Sequence, residues 1–184
     1  MTILKKRDIF ATVPERPASP VLADAIDYNL PIALGSNSEK ARSELIVAPI
    51  LIDLRRQFQE KISLFSGVEF NVDSSRGLNG ICDFLITESS EVLTIAAPII
   101  IIVEAKKENI NAGLGQCAAE MVAAQIFNEL ETTNKPKLIY GAVTTGSVWQ
   151  FLKLEDSVLS VELNEYYLKD VNKILGILAS GISR

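Results

Sequence analysis

Residues 99–109 read IIIIVEAKKEN. Five β-favouring residues run without a turn into a glutamate, an alanine and two lysines. A run apolar on both faces marks a strand in the middle of a sheet, covered above and below. Such a strand normally closes in a turn before it meets charge, so Glu104 and Lys106 at its own end need a reason. Side chains alternate along a strand, which places these two on one face, about 6.6 Å apart, and Ala105 on the other. The small Ala105 leaves room for a helix to pack close.

The neighbouring strand-like segment, GICDFLIT (Gly80–Thr87), carries Asp83 among Ile81, Cys82, Phe84 and Leu85. A carboxylate in such company is costly unless something pairs with it. Two acids and a lysine converging from adjacent strands satisfy one another, and together they suit a hard cation. Mg2+ is often held by one or two carboxylates, with water and substrate phosphate completing its shell.

Upstream, VEFNV (Val68–Val72) alternates as a half-buried strand does, and Ser74–Gly80 is a turn. Downstream, residues 111–131 have helical spacing, with Leu114, Cys117, Met121 and Phe127 on or near the apolar side. Gly113 and Gly115 are expected to let the chain turn closely after the strand. Gln116 and Glu120, four apart, share a helix face. KLIYGAVTT (137–145) and SVWQFLKLE (147–155) predict two strands meeting in a hairpin at Thr145–Gly146–Ser147, with Tyr140 and Trp149 as packing residues. A strand near Val158–Leu163 and an amphipathic helix near Leu168–Leu178 follow.

Toward the N-terminus, SNSE (Ser36 to Glu39) has capping-box spacing. It predicts a helix to about Gln59 with Leu45, Leu51, Ile52 and Leu54 among its buried positions, kinked near Leu45–Pro49 because Pro49 lacks an N–H. Glu44, one turn before Pro49, can lean over the sheet end. Residues 1–35, with Pro14, Pro17, Pro20 and Pro31, read as an N-terminal arm or short edge element, and 36–184 as a single domain. The order of elements predicts an α/β fold, a sandwich of helices around a central mixed sheet.

Composition narrows the chemistry. The 184 residues suit one domain with a substantial core, and 48% apolar with 22% charged residues is a globular composition. A net charge of −5 argues against broad, non-specific gripping of nucleic acid or anionic membrane. The chain has no histidine, which excludes Ser-His and Cys-His triads and leaves acid–base work to carboxylates, lysines and tyrosines. Cys82 and Cys117 make no disulfide framework, so a reducing, cytoplasmic setting is expected. The apolar run Pro98–Val103 is too short to span a bilayer, and no membrane partner is expected.

Asp83, Glu104 and Lys106 form the set D-x20-E-x-K, which resembles the core motif of the PD-(D/E)xK nuclease superfamily. Glu44 on the helix before the strands and Gln116 on the helix after them match accessory positions of that superfamily. Beyond the motif, IVEAKKE, a glutamine-bearing helix and KLIYGAVTTGSVWQFLKL are similar to the N-terminal nuclease domains of type I restriction enzyme subunits and their stand-alone relatives. The similarity runs from about Glu39 to Leu154. Cys82 stands at the proline of the motif name, and Glu120 where many relatives carry a tyrosine.

The resemblance implies a restriction-endonuclease-like three-layer sandwich and metal-dependent hydrolysis of DNA phosphodiesters. It implies Mg2+ or Mn2+ on Asp83, Glu104 and the Ala105 carbonyl with Glu44 in reach, Lys106 beside the attacking water, able to help take its proton, and Gln116 on a phosphate oxygen or that water. Pairing of two copies would let two single-strand cuts sever a duplex. Glu120 reads as a structural or solvated acid, Arg76 equally as a phosphate contact or an exposed turn residue, and Lys107 as a minor phosphate contact. The acidic composition supports a rival reading, a nuclease-like domain without turnover that serves as a nucleic-acid or protein interaction module.

Overall fold

In the computed structural model, which describes residues 1–59, 61–131 and 138–182, the segment IIIIVEA is a strand buried at every position. In chain order the elements are β1 (Thr2–Lys6), α1 (Pro20–Gly35), α2 (Glu39–Arg42), α3 (Ala48–Gln57), β2 (Ser63–Asp73), β3 (Leu78–Thr87) and β4 (Ile99–Ala105). They continue with α4 (Ile110–Glu131), β5 (Leu138–Thr144), β6 (Val148–Glu155), β7 (Val158–Glu162), β8 (Tyr166–Tyr167) and α5 (Val171–Ser180). The strands make one eight-stranded sheet in the order β1-β7-β6-β5-β4-β3-β2, with β8 pairing β6 off that path. β1 runs parallel to β7 and β4 parallel to β5, while the other neighbours are antiparallel. The sheet is therefore mixed, and β4 lies inside it, as its two apolar faces require.

Each face is covered. On one, Cys117, Met121 and Ala124 of α4 pack over Ile102, Val143 and Leu152. On the other, Leu22 of α1, Ile50 and Leu54 of α3 and Ile174 and Leu178 of α5 pack over Ile101, Val103 and Phe151. This is a three-layer α/β sandwich. α4 approaches closely at Gly141 of β5, where a Cβ would collide with the Met121 sulfur. Asn128 of α4 fixes the start of β4 by a two-way bond to the Ile99 backbone, accepting from its N–H at 2.7 Å and donating to its carbonyl at 2.8 Å. Among the described residues, no helix is long and apolar enough to cross a membrane.

Several sequence expectations are corrected. Residues 1–35 hold the expected short edge element, β1, but also a 16-residue helix that the reading as an arm leaves out. Phe10 is buried edge-on against Tyr140 and Phe151, and the buried Glu162 carboxylate accepts from the N–H groups of Asp8 and Ile9. Apolar residues on most sides of α1 mask its helical period. Ser36 ends α1, and the cap of α2 is Ser38, which accepts from the Ala41 N–H. The expected kink is a π-helical turn over Ser43–Val47 that runs into α3, so the chain widens where Pro49 cannot donate. Leu51 and Leu54 are buried, but Ile52 is exposed. Gly113 and Gly115 lie within α4 rather than in a turn before it.

β2 is longer than Val68–Val72 because it pairs along almost the whole of β3. The turn between them is a short 3-10 segment ended by left-handed Gly77. The hairpin between β5 and β6 closes at Gly146, φ 82°, and Tyr140 and Trp149 are both buried. Lys137, the expected first residue of β5, lies outside the described residues.

Candidate functional site

The β3–β4 ladder ends with Phe84 opposite Val103, and Asp83 and Glu104 are the next residues of the two strands. There the Ala105 N–H donates to Oδ2 of Asp83 at 2.8 Å. Just beyond β4, the Lys106 N–H donates to the Thr144 carbonyl at 2.7 Å, which keeps the chain extended. That extension brings the Lys106 side chain back to Glu104, whose Oε1 accepts from Nζ at 2.5 Å. Nζ also donates to Gln116 Oε1 at 3.2 Å, and Gln116 Nε2 donates to Glu120 Oε1 at 3.1 Å. A single chain of hydrogen bonds thus leads from Glu104 through Lys106 and Gln116 to Glu120.

Gly113 makes the path for the lysine. A Cβ there would stand 2.6 Å from Val143 Cγ1 and 3.1 and 3.2 Å from carbons of the Lys106 stem. The first turn of α4 therefore carries no side chain where Lys106 and β5 need the space.

Glu104 is 1% exposed. Burial pushes its pKa up to about 8; the Lys106 bond resists this, while the charges of Glu120 and Asp83 reinforce it. Glu120 is pushed up to about 7, chiefly by burial, with the Gln116 bond opposing and Asp83 adding to the rise. For Lys106 burial acts downward, but the hydrogen bond and charge of Glu104 outweigh it and hold the ammonium above its ordinary value. With Glu104 as its partner, Lys106 is held as a charged donor.

Two buried oxygens in this cluster, Glu104 Oε2 and Glu120 Oε2, have no hydrogen-bond partner. Cys82 lies beside Glu120 and its thiol pKa is raised, first by burial and then by the Glu120 and Glu104 charges. The Cys82 thiol, donating toward the Glu120 carboxylate, opposes part of that acid's rise.

Glu104, Lys106 and Gln116 are brought into one network, which Glu120, read from sequence as structural or solvated, joins; Asp83 adjoins it through the Ala105 N–H and its charge acts on Glu104. Glu44 is not drawn into this network: its side chain is 59% exposed and pairs with Lys40 at 3.0 Å. It lines a hollow with Asp83, Ala105, Ser66 and Glu39. An acid of the first helices, Glu39, reaches the residue just after the motif: its Oε2 accepts from the Lys107 N–H at 3.0 Å. The capping-box spacing assigns that carboxylate to its own helix, which hides this contact in the sequence. Arg42 adds a second tie, donating to the Thr145 carbonyl at 3.0 Å.

The donor set suits a hard divalent cation in one respect. A buried carboxylate oxygen without a partner, on Glu104, next to a second carboxylate, is what such a cation would satisfy. Among the described residues no three cysteine or carboxylate side chains are gathered to hold a metal ion. A cation here would draw on Asp83, Glu104 and the Ala105 carbonyl, and on water for the rest. No family model matches the chain, and no curated protein or solved structure is significantly similar to it.

Proposed function

We propose that the chain is a metal-dependent phosphodiesterase acting on DNA, of the PD-(D/E)xK type and with a restriction-endonuclease-like fold. The observation that carries the reading is Asp83, bonded to the Ala105 N–H, beside the Glu104–Lys106–Gln116 chain where β4 ends. Structural ion pairs at strand ends are common, but they seldom leave a buried carboxylate oxygen unmet.

In this reading Asp83 and Glu104, with the Ala105 carbonyl, hold Mg2+ or Mn2+. A cation held there would supply positive charge to polarise the scissile phosphoryl group and to favour ionisation of the attacking water. Lys106, kept protonated by Glu104, donates to the attacking water or to a phosphate oxygen and offsets charge that grows in the transition state. Gln116 fixes Nζ from the helix side, so the ammonium is aimed before substrate arrives. Glu39 holds the Lys107 backbone and so steadies the turn from β4 into α4. Residue 106 serves orientation and electrostatics, and proton removal falls to solvent or a substrate phosphate.

Supercoiled plasmid nicking tests the reading. The wild-type protein should nick plasmid with Mg2+ or Mn2+ and not with EDTA, while Asp83→Ala and Lys106→Ala, checked by circular dichroism, should fall by roughly 100-fold or more. Equal nicking by all three rejects it. Binding of DNA without nicking by any of them supports the silent interaction module instead.

A further inference from the structure

Beside the end of β4, a cavity of about 320 Å3 lies between the end of the β2–β3 hairpin and α4. Phe70, Leu78 and Cys82 line it from the hairpin and Ala119 from the helix, and Gln116 and Glu120 complete its wall. Its volume sits at the lower end of small-molecule sites, which suits one planar ring system. Two features tie it to the chemistry. Gln116 is shared, since its Oε1 accepts from Lys106 and its Nε2 donates to Glu120. Glu120 puts a carboxylate on the cavity wall, held by one Gln116 donor at Oε1 and so with acceptor capacity left for a ligand N–H.

We propose that this cavity takes a single unstacked nucleobase bearing an exocyclic amino group, from the strand whose phosphodiester lies at Lys106. The inference rests on the nuclease reading and names the part of the substrate that the site selects. A base splayed from its stack is read by apolar and aromatic walls against its faces and by hydrogen bonds to its edge. Phe70 and Leu78 supply the first kind of contact, and Glu120 the second. A carboxylate accepts from the amino group of cytosine, as in base readout generally. Thymine offers no such group. A base seated against Glu120 would also bear on Gln116 and through it on the lysine, coupling base choice to the reacting centre.

The test is an amide NMR titration of the metal-free protein at pH 8 with deoxycytidine and, separately, thymidine. Deoxycytidine should shift the amides of residues 77–82 and 119–123, several-fold more strongly than thymidine, and Ala119→Phe should abolish the response. Ala119→Leu, which keeps a strong helix former, serves the same purpose if phenylalanine disturbs α4. Silence at these amides with both nucleosides, or an unchanged response in the filled variants, overturns the proposal. Plasmid nicking without a nucleoside response removes the base pocket and leaves the nuclease standing. A selective nucleoside response without nicking supports the pocket while removing the hydrolysis.

Discussion

The amide of Ala105 donates to Asp83 Oδ2 across 2.8 Å, so the central residue of E-x-K holds the distant aspartate through the main chain rather than through a charge. The bond joins β3 to β4 where their ladder stops. It separates what Asp83 does for the fold from what it does for a cation, because an amide oxygen can accept the same N–H.

Asp83→Asn is therefore expected to keep stability within about 1 kcal/mol, while Asp83→Ala, which leaves the Ala105 N–H without its acceptor, should cost about 1–3 kcal/mol. Urea denaturation measures both. Under the proposed reading both lose metal-dependent nicking, and an active Asp83→Asn would remove Asp83 from the reacting centre.

Gly113 and Gly115 offer a matched pair. A Cβ at Gly113 meets Val143 and the Lys106 stem, whereas one at Gly115 meets nothing within 4 Å. Gly113→Ala should destabilise by about 1–3 kcal/mol through overpacking. Gly115→Ala should stabilise by roughly 0.5–1 kcal/mol through helix propensity. Thermal melts of the two variants should move in opposite directions.

The pH dependence has a definite sign. Glu104 and Glu120 have folded values of about 8 and about 7, above those of an unfolded chain. The folded protein then binds more protons, so their contribution is full below the unfolded carboxylate range and is lost as pH rises through the folded values. Metal-free protein should lose on the order of a few kcal/mol between about pH 5 and pH 8. In Glu120→Gln the fall should be shallower. Mg2+ or Mn2+ added at pH 8 should restore stability if the carboxylates hold it; an unchanged melting temperature would count against a cation there.

Glu39 and Glu44 should behave differently. Glu44→Ala removes an exposed pair with Lys40, worth about 0.3–0.5 kcal/mol at most. Glu39→Ala releases the Lys107 backbone and should cost about 0.5–1.5 kcal/mol. Nicking rate, measured beside urea denaturation, should fall further in Glu39→Ala than in Glu44→Ala. The reverse order would make Glu44 the acid that acts on the site.

Local pattern made much of this legible. The double-faced apolar run of β4, the alternation in β2, the Thr145–Gly146–Ser147 hairpin and the period of α4 all follow from the intrinsic geometry of strand and helix, and together they specify an α/β sandwich. Glu104 and Lys106 share a face for the same reason: two residues apart on an extended chain, they have nowhere else to point. Tertiary packing decided what period cannot encode. The helix at Pro20–Gly35 was hidden because its burial comes from docking, Glu39 because its partner is 68 residues away, and the inward turn of Glu120 because only a hairpin laid over α4 shuts its oxygen off from water. Spacing along a chain governs which side chains face together, whereas desolvation, which raises Glu104 and Glu120, exists only once distant segments close over them.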